Sequence, residues 1–112
     1  MNEGAPSILI LSRGEADPAW ISEICAGVEE EGVPFDRYTV EMGTDANEIA
    51  SNAAERSALG AGIGVAGSTA AFTLRSLTEG GPLFSAETNG SGFRLLGSNA
   101  ARAVKGVAFK CR

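Results

Sequence analysis

Short apolar runs alternate with segments of helical periodicity along the whole chain, and this alternation limits the fold more than any other feature. The first run, SILILS over residues 7–12, is almost continuous in apolar residues, which is typical of a strand covered on both faces. Asp17 followed by Pro18 provides a helix N-cap and a proline at the first helical position, and Gly32 ends that helix. The alternation predicts an α/β domain with an open, mostly parallel sheet and helices on both faces.

The same reasoning places the remaining elements. Next in the chain we predict a strand over residues 36–40 and a helix from Thr44 or Asp45 to about Arg56. A strand over 62–66 and a helix from Ser68 to about Leu77 follow, and then a turn over 80–82 and a strand over 83–86. The last elements are a polar loop over 88–92, a helix over 93–105 ended by Gly106, and a strand over 107–109. No internal repeat and no linker interrupts the pattern, so we predict a single domain over residues 1–112.

The charge balance argues against two classes of partner. The formal net charge is −5, and the only loose basic group is Arg102, Lys105, Lys110 and Arg112. A nucleic-acid binder normally carries a basic stripe, so we interpret this group as a helix C-terminus followed by a solvated tail. No apolar segment follows Met1 and no run is long enough to span a bilayer. We therefore expect a cytoplasmic protein, with Cys25 as a buried, reduced thiol.

The chain has no histidine. Histidine is the usual acid–base group at neutral pH and a common metal ligand, so its absence excludes Ser-His-Asp and Cys-His nucleophilic sites and histidine-bound zinc. The remaining acidic residues form no spaced pair typical of a glycosidase or a metal dyad. These observations favour a domain without an active site of its own.

Residues 62–67 (GIGVAG) match the G-x-G-x-x-G pattern of dinucleotide-binding proteins. That pattern needs its glycines in the turn after a strand, with a helix N-terminus directed at the pyrophosphate. Here the glycines begin the predicted strand itself. The favoured interpretation is a strand with a helix packed closely above it, and nucleotide binding is the lesser alternative.

Glu29, Glu30 and Glu31 occupy the last turn of the first predicted helix, where the helix dipole disfavours negative charge. At 100° per residue, Glu30 points away from the buried face while Glu29 and Glu31 flank it. Local conflicts of this kind sometimes mark function. Glu30 is therefore the carboxylate best presented to a partner or a cation, although composition alone favours a solvated acidic face.

Four segments carry a resemblance to a known family: VEEEGVPF over residues 28–35, GIGVAGS over 62–68, PLF over 82–84 and LLGSNAARAVKGVAF over 95–109. In order and spacing they resemble the small subunit of the reactivating factors for adenosylcobalamin-dependent diol and glycerol dehydratases. The resemblance extends over about residues 8–109. The region 85–93 diverges, so the resemblance carries no residue over there.

The resemblance implies a three-layer α/β/α fold like that of the dehydratase medium subunit, with a five-stranded sheet in the order 2-1-3-4-5 and strand 4 antiparallel. It implies a non-catalytic subunit that binds no cobalamin and pairs with a large Hsp70-like ATPase subunit. The complex then docks on a dehydratase with a damaged cofactor, and subunit exchange lets the spent cobalamin leave.

The resemblance also implies a metal ligand. A glutamate in the acidic helix end reaches a Mg²⁺ site on the large subunit, and by motif position it is Glu30. A shift of one residue would make the ligand Glu29 or Glu31. One carboxylate lent to a hard, oxygen-seeking cation is chemically reasonable.

Two alternatives remain from other classes of protein. One is a medium-subunit-like component of a dehydratase, although the chain is short for that role; co-purifying cobalamin would favour it. The other is a small nucleotide-binding α/β protein using residues 62–68. Whether the client prefers glycerol or propane-1,2-diol, and whether the isolated chain self-associates, stays open.

Overall fold

The computed structural model describes residues 6–41, 45–74, 85–89 and 92–110, which form five strands and three helices. In chain order these are β1 (Ile8–Arg13), α1 (Pro18–Glu30), β2 (Phe35–Val40), α2 (Ala46–Arg56), β3 (Ala61–Ala66), β4 (Thr69–Leu74), β5 (Ser85–Asn89) and α3 (Phe93–Lys110). The strands make one sheet in the order β2-β1-β3-β4-β5. No helix in these ranges is long and apolar enough to cross a membrane.

Strand directions agree with the order that the resemblance implies. β1 pairs in parallel with β2 and with β3, whereas β4 is antiparallel to both β3 and β5. The predicted order 2-1-3-4-5 with an antiparallel fourth strand is therefore confirmed. The alternation alone does not predict the antiparallel fourth strand, which arises because β3 and β4 form a hairpin rather than a crossover unit.

Alternate residues of β1 face two separate cores. Ile8 and Ile10 pack with α1 and α3, and Leu9 and Leu11 pack with Ile49 of α2. All four β1 side chains are at most 4% exposed, as expected for a strand covered on both faces. Two helices on one face and one on the other give the predicted three-layer arrangement.

The first helix begins where the sequence places it. The Asp17 carboxylate accepts a hydrogen bond from the Ala19 amide at 2.9 Å, and Pro18 takes the first helical position. Asp45 caps α2 in the same manner by accepting from the Glu48 amide at 2.9 Å. Asp45, rather than Thr44, is therefore the cap, because its carboxylate meets an amide that has no partner inside the helix.

The predicted helix from Ser68 to Leu77 is wrong over its described part, because residues 69–74 are β4. Ala66 pairs with Thr69, which leaves Gly67 and Ser68 as a two-residue hairpin turn. Gly67 has φ +59°, a conformation that glycine adopts at little cost. A Gly-Ser pair between two apolar runs is itself a hairpin signal, and the helical interpretation overlooked it.

Two further predictions near the C-terminus are wrong. Residues 88 and 89, expected in a loop, belong to β5, which runs from Ser85 to Asn89. Residues 107–109, expected as a strand, continue α3 through Gly106 to Lys110. Glycine lowers helix stability by about 1 kcal/mol but does not end a helix whose apolar face is packed. The turn over residues 80–82 lies outside the described residues.

The glycines of the G-x-G-x-x-G pattern serve packing. A Cβ at Gly62 would lie 2.3 Å from the Ala54 amide nitrogen, and one at Gly64 would lie 2.4 Å from the Ala46 carbonyl oxygen. Both positions lie beneath α2, so any larger residue would push the helix off the sheet. This confirms the interpretation of a strand with a closely packed helix, and the segment ends in a hairpin rather than at a helix N-terminus.

Candidate functional site

The C-terminal half of α1 lies against α3 at a distance that only glycine permits. A Cβ at Gly27 would be 2.1 Å from the Arg94 carbonyl oxygen, and a Cβ at Gly97 would be 2.1 Å from the Ile24 carbonyl oxygen. Each helix therefore places a glycine against the backbone of the other. This contact brings the acidic end of α1 within reach of the side chains of α3.

Glu30 meets Arg94 across this contact. The Arg94 guanidinium donates to Glu30 Oε2 from Nε at 2.8 Å and from Nη2 at 2.5 Å. The Ser98 hydroxyl lies 3.5 Å from Glu30 Oε1. The Glu30 side chain is 47% exposed, which agrees with its predicted outward direction, but its carboxylate turns toward α3 and is already bound. The Glu30 carboxylate raises the pKa of Arg94.

Arg94 also faces a second carboxylate on the same side of α1. Its Nη1 lies 3.7 Å from Glu23 Oε1, and Glu23 precedes Glu30 by seven residues, or two helical turns. The guanidinium therefore lies between two carboxylates, one held by two short hydrogen bonds and the other by a longer ionic contact.

Glu31 has the most strongly bound carboxylate of the three. It accepts from Arg102 Nε and from Lys105 Nζ, both at 3.0 Å, and its side chain is only 17% exposed. Lys105 also donates to the Glu31 backbone carbonyl at 3.0 Å, which satisfies an oxygen at the C-terminal end of the helix. Lys105 and Arg102 hold the pKa of the Glu31 carboxyl below its ordinary value. The conflict between the acidic end and the helix dipole is thus compensated by α3.

Glu29 is exposed and makes no ion pair with any residue in the described ranges. The three carboxylates therefore differ in availability: Glu31 is enclosed, Glu30 is exposed but paired, and Glu29 faces solvent. Nor do these ranges contain a group of three or more acidic or cysteine side chains able to hold a metal ion together. A cation bound at this surface through the described residues would therefore need further ligands from a partner.

Sequence reasoning found the acidic end but missed its partners. It interpreted Arg102 and Lys105 as part of a helix end and solvated tail, whereas both lie inside α3 and bind Glu31. Arg94, Arg102 and Lys105 follow each other by eight and three residues, a spacing that puts them on one face of a helix. That basic stripe was the available signal. Its acidic counterpart is more than sixty residues earlier in the chain, so no local pattern connects the two.

Cys25 is buried as predicted, and burial raises the pKa of its thiol. The Arg37 guanidinium lies 3.8 Å from its sulfur. Cys111 is outside the described residues. Arg37 favours the thiolate, but burial has the larger effect, so the thiol is not activated as a nucleophile.

Comparison with known proteins identifies the family. A profile for the dehydratase medium subunit matches residues 5–110. The chain belongs to the dehydratase medium subunit family. It is 32% identical to the propanediol dehydratase-reactivating factor small subunit of Citrobacter freundii, over 97% of this chain and 94% of that protein. It is 33% identical to the diol dehydratase-reactivating factor small subunit of Klebsiella michiganensis, over 97% of this chain and 87% of that protein.

Solved structures agree with these relatives. A diol dehydratase-reactivating factor complexed with ADP and Mg²⁺ contains a chain that is 33% identical, with a TM-score of 0.74 over 92% of this chain and 95% of its own length. A glycerol dehydratase reactivase contains one that is 32% identical, with a TM-score of 0.76 over 90% and 93%. The resemblance to reactivating-factor small subunits is therefore confirmed, as is the fold that it implies.

Proposed function

We propose that this chain is the non-catalytic small subunit of a reactivating factor for an adenosylcobalamin-dependent diol or glycerol dehydratase. In this proposal it acts in the cytoplasm with a large ATPase subunit, binds no cobalamin itself, and helps to release damaged cobalamin from the dehydratase by subunit exchange. The observation that carries the proposal is similarity to reactivating-factor small subunits over almost their whole length. The absence of histidine supports a role without chemistry of its own.

We propose further that Glu30 lends a carboxylate oxygen to a Mg²⁺ ion held mainly by the large subunit. When bound, the ion would be held in part by Glu30 and would stabilise the association of the two chains. The residues present fit this role, because Glu30 is half exposed and the described residues form no complete metal site of their own. Glu29 is the alternative if the register shifts by one, whereas Glu31 is less suited because two cations already bind it.

The ion pair with Arg94 gives this role a physical condition. Glu30 cannot coordinate a cation through Oε2 while that oxygen accepts two hydrogen bonds from the guanidinium. Ligation through Oε2 therefore requires Glu30 to leave Arg94, whereas Oε1, which has only the Ser98 hydroxyl at 3.5 Å, could bind the ion while the pair stays intact. Glu23, already 3.7 Å from the same guanidinium, remains as its carboxylate partner after the exchange. Arg94 thus has a carboxylate partner both before and after Glu30 leaves it.

Co-expression with the large-subunit gene product tests the first proposal. We expect a stable complex on size-exclusion chromatography, with ATPase activity in the complex and none in this chain alone. Two subunits that fail to associate, with or without Mg²⁺ and ADP, would count against it. Added to cobalamin-inactivated dehydratase, the complex should restore activity in the presence of fresh cofactor, and this chain alone should not.

Glu30→Gln tests the metal role separately. We expect the variant to fold normally but to need a higher Mg²⁺ concentration for assembly. Glu29→Gln is the matched control, since it removes the same charge from the neighbouring position. Loss of assembly in Glu29→Gln alone would show that Glu29 is the metal ligand. Unchanged assembly in both variants would refute a metal role for either residue.

A second candidate function is that of a medium-subunit-like component of a dehydratase, which the matching family profile favours. Such a subunit would contribute to cobalamin binding. Cobalamin absorbance co-purifying with this chain and dehydratase subunits would support it, and its absence from a complex that contains the large ATPase subunit would support the first proposal.

A further inference from the structure

A cleft of about 480 Å³ opens where the carboxyl ends of β1 and β2 meet the start of α1. It lies away from the contact between α1 and α3. Its apolar wall consists of Ala16, Pro18 and Ile21. The volume falls within the range of about 300–1,000 Å³ that is typical of small-molecule sites. Open α/β sheets usually bind ligands beyond the carboxyl ends of their strands, and this cleft is one strand away from the switch between β1 and β3.

Strand register directs three polar side chains into this cleft. Ile10 pairs with Arg37 and Ser12 pairs with Thr39, and residues paired in parallel strands project from the same face of the sheet. Ile10 belongs to the core beneath α1, so Ser12, Arg37 and Thr39 also face the α1 layer. All three line the cleft.

Ser12 lies at the base of the cleft and is 6% exposed. Its hydroxyl forms no hydrogen bond with any residue that the structure describes. The Ser12 hydroxyl can donate a hydrogen bond to a ligand oxygen that enters the cleft.

Arg37 provides a cation on the rim. Arg13, Arg94 and Arg102 each pair with a carboxylate, whereas the contact of Arg37 is the Cys25 sulfur at 3.8 Å. Among the described residues that line the cleft, none is an aspartate or a glutamate. In a chain of net charge −5, a guanidinium beside a cleft without carboxylates is a local centre of positive potential.

We propose that this cleft binds a small organic oxyanion, either a phosphomonoester or a carboxylate. The Arg37 guanidinium pairs with the anionic group, the Ser12 and Thr39 hydroxyls donate hydrogen bonds to its oxygens, and the apolar wall contacts the body of the ligand. A guanidinium matches the geometry of both kinds of anion, so the two are separated by experiment. The site is independent of the assembly proposed above.

The test is an NMR titration of the ¹⁵N-labelled full chain with methyl phosphate in one arm and propionate in the other. Sodium chloride at matched ionic strength is the control. We expect saturable shifts of the Ser12, Arg37 and Thr39 amides with at least one probe, and the arm that saturates at lower concentration identifies the preferred anion. Shifts that never saturate, or that sodium chloride reproduces, would overturn the proposal.

Variants then test the named side chains. Arg37→Gln should weaken binding by about tenfold or more and Ser12→Ala by about threefold, because each removes a hydrogen bond to a charged group. Arg56→Gln, which removes the same charge from α2 on the opposite face of the sheet, should leave binding unchanged. Equal weakening in Arg37→Gln and Arg56→Gln would show a general charge effect and refute the site. Arg37→Lys keeps the positive charge but loses the planar guanidinium that can donate two parallel hydrogen bonds, so this variant should bind the anion with intermediate strength.

Discussion

Replacing Arg94 by glutamine should make Mg²⁺-dependent assembly with the large subunit easier. In the proposed metal role, an ion bound through Glu30 Oε2 would compete with the guanidinium for that oxygen, so removing the guanidinium would remove the cost of separating the ion pair. It also removes a positive charge that repels the cation. The variant should therefore assemble at a lower Mg²⁺ concentration than the original chain.

The exposure of the two side chains sets the size of the effect. Arg94 is 54% exposed and Glu30 47% exposed, so water screens the pair, and its strength is that of a surface ion pair with good hydrogen-bond geometry. Such pairs shift an equilibrium by about two- to fivefold, and we expect the Mg²⁺ midpoint for assembly to fall by that factor. High salt should reduce the difference between variant and original, because it screens the ion pair that the variant lacks.

The assay is a Mg²⁺ titration of complex formation, followed by fluorescence anisotropy of the labelled small subunit. Arg102→Gln is the matched control, because it removes an equal charge from the same helix but releases Glu31 instead of Glu30. Glu23→Gln should shift the midpoint the other way, since Arg94 then has no second carboxylate once Glu30 leaves. A midpoint that rises in Arg94→Gln would mean that Arg94 positions Glu30 for the metal and does not compete with it. Glu30→Gln must be measured in the same assay. If its Mg²⁺ midpoint is the same as that of the original chain, Glu30 has no metal role.

Three further predictions concern the fold around the site. Gly97→Ala should lower the free energy of unfolding by about 2 kcal/mol or more in urea denaturation, since a Cβ there meets an α1 carbonyl at 2.1 Å, and Asn99→Ala, on the exposed face of the same helix, should change it little. The pKa of Glu31 is lowered in the folded chain, so its contribution to stability is present above its unfolded pKa and is lost as the pH falls through the folded value; Glu31→Gln should flatten the loss of stability below about pH 4, and an unchanged slope would contradict the pairing. Burial raises the pKa of the Cys25 thiol, so iodoacetamide should modify it at pH 8 only after denaturant is added, and rapid labelling of the folded chain would show that the thiol is accessible.

The first half of the fold follows from the sequence because its signals are local. The apolar run of β1, the Asp17-Pro18 helix start and the Asp45 cap each act through neighbours within a few residues, and each was placed within one or two residues of its position in the structure. The prediction for residues 69–74, which form the second strand of the β3–β4 hairpin, was wrong for a different reason. Apolar residues over 69–74 fit helical and strand periods equally well, and the Gly67-Ser68 turn was the deciding signal.

The prediction for the C-terminal helix was wrong because one glycine is a weak stop signal. Gly106 should end a helix by propensity alone, but α3 continues to Lys110. With β5 already completing the sheet at residues 85–89, no strand position was needed for residues 107–109. The element order taken from the resemblance was correct even though two of the strands had been assigned to the wrong residues.

The acidic end of α1 shows how an unfavourable local charge arrangement can be compensated by residues distant in sequence. This compensation does not exclude a functional role for the carboxylates. Three carboxylates at a helix C-terminus are unfavourable when the helix is considered alone. The structure compensates two of them with cations from α3, and it does so to different degrees: Glu31 is enclosed by Arg102 and Lys105, whereas Glu30 shares Arg94 with Glu23 at the surface. A fully enclosed pair would serve only stability. A surface pair whose cation has a second carboxylate within 3.7 Å can exchange partners at low cost, and that property is what the proposed metal role of Glu30 would use.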